Sequence, residues 1–177
     1  MLEHPDPLTV DRQPPDKFRA VVLDAYGVIR DHTTGRPSPG VIETMDTLRA
    51  LGLLVGLASD RDDTFDLLTE QTYEIVCVSE NLPGPPTPFL VFECCKRLNV
   101  YPTSEVIYVA GDADPVQCGL HAGCWTVAFA NDYDGRLSLM QMGVNWILDS
   151  VNELPDMLDG FEIESTPLPR FGDRRLP

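Results

Sequence analysis

Lysine is nearly absent. Of 177 residues only Lys17 and Lys96 are lysines, the other eleven basic residues are arginines, and the formal net charge is −15. A surface so short of cations repels phosphate backbones, and no basic groove is legible, so direct nucleic-acid binding is not expected. Zinc-type spacing is absent as well. Cys77, Cys94, Cys95, Cys118 and Cys124 are odd in number and form no CxxC or Cys/His pattern. Four lie in or beside apolar segments, which reads as buried free thiols in a reducing compartment. No apolar run approaches the ~20 residues needed to span a bilayer, so membrane insertion is not expected. There is no internal repeat and no low-complexity block. Residues 1–17 carry neither a signal-peptide core nor a transit-type bias. The expected location is intracellular, either cytoplasm or an organelle matrix such as the mitochondrion.

What the chain does have is alternation. Apolar runs predict strands at Arg19–Asp24, Leu53–Leu57, Ile75–Val78, Val106–Ala110, Thr126–Phe129 and Trp146–Leu148. Between them lie helical patterns. "GVIETMDTLRALG" puts Val41, Ile42, Met45 and Leu48 on one face and stops at Gly52. "TPFLVFECCKRLN" does the same with Phe89, Leu90, Phe92 and Leu98. "GRLSLMQMG" and "SVNELPDML" are shorter, and Ser150 can cap the second. The order predicts an α/β fold: a doubly wound, mainly parallel, Rossmann-like three-layer sandwich. The strand ending at Asp24 should be central, flanked by the Leu53 and Val106 strands, with the Ile75 and Thr126 strands outside them. The expected core is Val22, Leu23, Val55, Leu57, Val76, Phe92, Ile107, Val109, Val127 and Ile147, with Leu48 and Leu98 covering the sheet from helices. The expected domain is 18–159, between a Pro-rich acidic arm at 1–17 and a tail at 160–177 that could wrap a partner.

In an open parallel sheet, sites gather at the carboxyl ends of strands. Asp24, Ser59 and Asp112 each stand at such an end. Asp24 and Asp112 could hold a hard cation, Mg²⁺ above all, through oxygen ligands. Asp24 could attack a phosphoryl group, and Ser59 could donate a hydrogen bond to it. Each also has a plainer reading: a strand-end Asp is often a turn former, Gly111-Asp112 is a common turn pair, and Ser59-Asp60 could cap a helix beginning "RDDTFDLL".

Together, "VVLDAYGV", "GLASDRDD" and "VIYVAGDADP" resemble the motif order of the haloacid dehalogenase superfamily. "NLPGPPTPFLVFECCKRLNVYP" and "RLNVYPTSEVIYVAGDADPVQCGLHAGCWTVAFA" resemble its phosphonoacetaldehyde hydrolase (phosphonatase) branch, over roughly residues 18–158. The resemblance implies Asp24 as nucleophile, Ser59 as phosphate ligand and Asp112 as metal ligand, with Asp114 able to help through water. It also exposes gaps. Tyr26 stands where most family phosphatases carry an acid/base Asp, and a phenol with an ordinary pKa of about 10 is a poor acid at neutral pH. Pro85 stands at the family's Lys or Arg; Arg61 could substitute from another direction. Val116 stands at the second metal-linked acid. The interval from Asp24 to Ser59 is too short for the helical cap domain, and no lysine lies between Lys17 and Lys96, which removes the phosphonatase Schiff-base route. Two functions follow. The favoured one is a degenerate, non-catalytic subunit held by protein partners in a larger assembly. The alternative is a capless Mg²⁺-dependent phosphohydrolase using Asp24, Ser59, Asp112, Asp114 and Arg61.

Overall fold

The computed structural model describes residues 13–30, 34–60, 75–78, 81–130 and 132–165, with backbone alone for 75–78. The strands are β1 (Lys17–Phe18), β2 (Ala20–Asp24), β3 (Leu54–Ser59), β4 (Ile75–Val78), β5 (Val106–Ala110), β6 (Trp125–Phe129), β7 (Trp146–Leu148) and β8 (Glu162–Ile163). The α-helices are α1 (Val41–Ala50), α2 (Phe89–Leu98), α3 (Ala113–Ala122), α4 (Tyr133–Met142) and α5 (Leu154–Met157). Six strands form one sheet in the order β4-β3-β2-β5-β6-β7, and every pairing in it is parallel. The strand ending at Asp24 is central, and its neighbours are the predicted ones.

Alternation along each strand divides the core into two layers. In β2, Val21 and Leu23 point into a layer with Val41, Met45 and Leu48 of α1 and Leu154 of α5. Ala20 and Val22 point the other way, against Leu90, Val91, Cys94, Cys95 and Leu98 of α2 and Val116 of α3. Both faces are covered, so the central strands read as unbroken apolar runs rather than alternating ones. Ser150 caps the turn before α5 as expected, accepting a hydrogen bond from the Asn152 N–H. No helix among the described residues is long and apolar enough to cross a membrane.

Three expectations change. The buried face of α2 is Leu90, Val91, Cys94, Cys95 and Leu98, whereas Phe89 and Phe92 are exposed. The helix lays Cys94 against the sheet, its thiol donating to the Leu57 carbonyl at 3.5 Å, and Leu98 fits over Gly56, where an added Cβ would stand 3.0 Å from it. Ile147 is half-buried because β7 is an edge strand. The packed body also runs beyond 159, since β8 pairs with β1 in a short parallel ladder and Lys17 forms an ion pair with Glu164. The side chain of Val76 lies outside the described residues. α3 was not among the helical patterns, because Pro115 and Gly119 interrupt its sequence. Gly119 is there for packing: a Cβ would meet Tyr108 Cδ1 at 2.4 Å and Thr126 Oγ1 at 2.8 Å.

Candidate functional site

An open cleft of about 480 Å³ lies at the carboxyl ends of the strands, lined by Asp24, Tyr26, Asp60, Pro85, Asp112, Ala113, Asp114 and Pro115. Asp24 is the last residue of β2 and its side chain turns back on the chain. Its Oδ2 accepts a hydrogen bond from the Gly27 N–H at 2.8 Å, capping a single turn of π-helix over Ala25–Ile29. This is the turn-forming role that the sequence also allowed, and it fixes the carboxyl at the floor of the cleft.

Two glycines set the spacing of the two acids. A Cβ on Gly27 would stand 2.6 Å from Asp24 Oδ2 and 3.4 Å from Asp112 Oδ2; a Cβ on Gly111 would stand 2.6 Å from the Gly27 carbonyl oxygen. The backbones at the ends of β2 and β5 therefore approach more closely than any side chain permits, and the two carboxylates face each other around Gly27. Asp24 is only 8 % exposed. Its carboxyl is raised to about 7 by burial first, against the opposing Gly27 hydrogen bond, with the negative charges of Asp112 and Asp60 adding to the rise.

The other expected residues divide. Asp112 and Asp114 are exposed on the cleft wall. Tyr26 lines the cleft, and Arg30 donates a hydrogen bond to its hydroxyl while the guanidinium carbon sits 4.9 Å from the ring centroid. Ser59 ends β3, one residue beyond the Asp24–Ala58 pair, and is 1 % exposed; Asp60, the next residue, lines the cleft. Arg61 lies outside the described residues. Pro85 lines the wall as expected. Val116 is 0 % exposed, in the core layer between α3 and the sheet.

Sequence reasoning missed Asp60 as a lining residue and Arg30 as the partner of Tyr26. The acid was visible in "SDRDD" directly after a strand end, but a cap reading absorbed it. Arg30 had no sequence signal beyond its spacing of four from Tyr26.

Among the described residues no three His, Cys, Asp or Glu side chains come together as a metal-ligand group. The facing pair Asp24 and Asp112 suits a cation that keeps most of its water, as Mg²⁺ does when one or two carboxylates hold it. It does not suit a cation caged by protein oxygens.

Comparison with known proteins follows the same lines. No family model matches the chain. It is 30% identical over 97 residues to a phosphonoacetaldehyde hydrolase-like protein of Syntrophobacter fumaroxidans, covering 50% of this chain and 35% of that one. It is 26% identical over 164 residues to a phosphonoacetaldehyde hydrolase of Bacteroides fragilis, covering 75% and 62%. The chain thus spans between 35% and 62% of the length of these two relatives. Among solved structures, a phosphonoacetaldehyde hydrolase-like protein from Oleispira antarctica superposes with a TM-score of 0.61 at 21% identity, over 70% of this chain and 56% of that one. A haloacid dehalogenase-superfamily hydrolase from Geobacter sulfurreducens superposes at 0.53 and 20% identity, over 69% and 56%. The chain therefore has a haloacid dehalogenase-like fold, and its sequence is similar to the phosphonoacetaldehyde hydrolase branch of that superfamily.

Proposed function

We propose that the chain is a degenerate haloacid dehalogenase-like domain that works as a non-catalytic interaction subunit of a larger intracellular or organellar assembly. One observation carries the reading. The described lining of the cleft holds four carboxylates, Asp24, Asp60, Asp112 and Asp114, and no cation. A phosphoryl dianion entering it meets like charge in a partly desolvated site, where repulsion is stronger than in water. The position that would supply a cation is Pro85. The position that would supply a further acid is Val116, which is packed in the core and cannot turn outward without opening it.

The groups that remain are poorly matched to phosphoryl transfer. A nucleophile must be ionised, and burial first, with its acidic neighbours, raises Asp24 to about 7, so that without a cation roughly half of it is protonated at neutral pH. Tyr26 has its hydroxyl engaged by Arg30. Each missing group of this kind costs on the order of 10²–10⁴ in rate. Between Ala25 and Leu53 the described residues hold the π-turn and α1, which supports a capless domain with an open cleft. The buried thiols of Cys94, Cys95, Cys118 and Cys124 are unbridged, which suits a reducing compartment.

A second reading rests on a specific feature. Asp24 and Asp112 are still held face to face by the Gly27–Gly111 contact, as a capless Mg²⁺-dependent phosphohydrolase would need. There Asp24 and Asp112 would hold the ion, which would screen the two anions from an incoming phosphate. Hydrolysis of an aryl phosphate with and without Mg²⁺, run beside Asp24→Asn, separates the readings. We expect no turnover above that of the variant. Metal-dependent turnover lost in Asp24→Asn would establish the phosphohydrolase instead.

A further inference from the structure

α4 has its apolar side chains on the wrong side for a surface helix. It buries one side chain, Leu139. Tyr133, Leu137 and Met140, spaced i, i+4 and i+7 along one face, stand in solvent, Tyr133 at 78 % and Met140 at 64 % exposure. Beside α4 lies β7, the last strand of the sheet, paired to β6 alone among the described strands. Trp146 of β7 is exposed too. Ile147 packs with the α4 layer and Leu148 with the opposite one, so the strand's alternation puts Trp146 on the face away from α4. The sheet edge is therefore apolar on both sides. Tyr, Trp and Met are the side chains that anchor protein interfaces, and an open apolar edge is otherwise an aggregation hazard.

The charges around this edge define what covers it. Asp132 and Asp134 are exposed at the start of α4, and Asp149 follows β7. Between Arg97 and Arg170 the sequence holds a single Lys or Arg, Arg136, and it is ion-paired with Asp149. A second copy of the chain would set acid against acid at a net charge of −15 per copy. Resting on the interaction-subunit reading above, we propose that the α4–β7 edge docks a segment of a partner protein with apolar anchors flanked by lysine or arginine.

Trp146 lies on the face away from α4, so binding is read by the fluorescence anisotropy of a labelled peptide added to the full chain. The probes are a synthetic amphipathic peptide of leucine and lysine and its leucine and glutamate counterpart of equal length. We expect saturable binding of the lysine peptide only, weakened at least ~10-fold by Leu137→Asp combined with Met140→Asp, and weakened by added salt. Phe89→Asp, on the exposed side of α2, should leave the affinity unchanged. Tyr133→Ser removes an exposed ring alone and should weaken binding with an unaltered circular dichroism spectrum. Absence of binding, equal affinity for both peptides, or binding indifferent to the α4 variants would overturn the proposal. So would a concentration-dependent dimer abolished by the double variant, which would make a second copy the occupant. The aryl phosphate assay does not touch this edge, so turnover there would end the interaction-subunit reading without altering the peptide result.

Discussion

The ends of β2 and β5 and the positions 85 and 116 belong to one cleft architecture but answer to different demands. At the strand ends, Gly27 and Gly111 hold two backbones so close that a methyl group on either would collide, and Asp24 and Asp112 face each other as a result. At positions 85 and 116 stand a proline and a valine, and Val116 is part of the core. Tight packing preserves the first pair because changing it disturbs the meeting of two central strands. Nothing in the packing asks for charge at the second pair. The packing therefore accounts for the first pair and is silent on the second.

The largest test of this contrast is Val116→Asp, which puts a carboxylate where the resemblance implies one. Because position 116 is closed to solvent, denaturant unfolding should show a loss of roughly 3–5 kcal/mol, the cost of an unpaired buried charge. Pro85→Lys, at the cleft wall, should stay within about 0.5 kcal/mol. A stable Val116→Asp would break the comparison.

Asp24→Asn comes next. The unfolded carboxyl has its ordinary value near 3.8 and the folded one about 7, so between these values the native state holds a proton that the unfolded state has released. The stability Asp24 allows is therefore lost as pH rises through this window. Relative to the wild type, the variant should gain up to about 4 kcal/mol between pH 4 and pH 8, at ~1.4 kcal/mol per pKa unit. Parallel melts at the two pH values check it, and a constant difference would mean that Asp24 is balanced by a cation.

Gly111→Ala should cost about 1–3 kcal/mol through overpacking against the Gly27 carbonyl, read as a lower midpoint in urea. Smaller still, Phe89→Ser should change stability by less than about 1 kcal/mol, since the ring is 49 % exposed. A large loss there would restore the face of α2 expected from sequence.

That face shows where the sequence stopped being legible. Strand order, the central place of Asp24 and the strand-end acids followed from apolar runs and crossover rules, because strands buried on both faces leave few arrangements. In α2 the phenylalanines carry the stronger hydrophobic signal, yet the helix turns Leu90, Val91, Cys94, Cys95 and Leu98 to the sheet. α3 was hidden by Gly119, whose reason lies in Tyr108 and Thr126, far away in sequence. At the site, Asp24 and Asp112 were legible as strand-end residues. The exposure of Asp60 at the cleft beside a buried Ser59 was not, since a one-residue difference along a strand end decides which side chain reaches solvent.

The proposed non-catalytic reading holds that this cleft does not accept a phosphate. It is tested most directly by titrating inorganic phosphate into ¹⁵N-labelled protein with Mg²⁺ and following the amides of Gly27, which borders both carboxylates, and of Gly111, packed against it. The account predicts that these two resonances do not shift up to millimolar phosphate. A saturable, Mg²⁺-dependent shift of both, lost in Asp24→Asn, would contradict it.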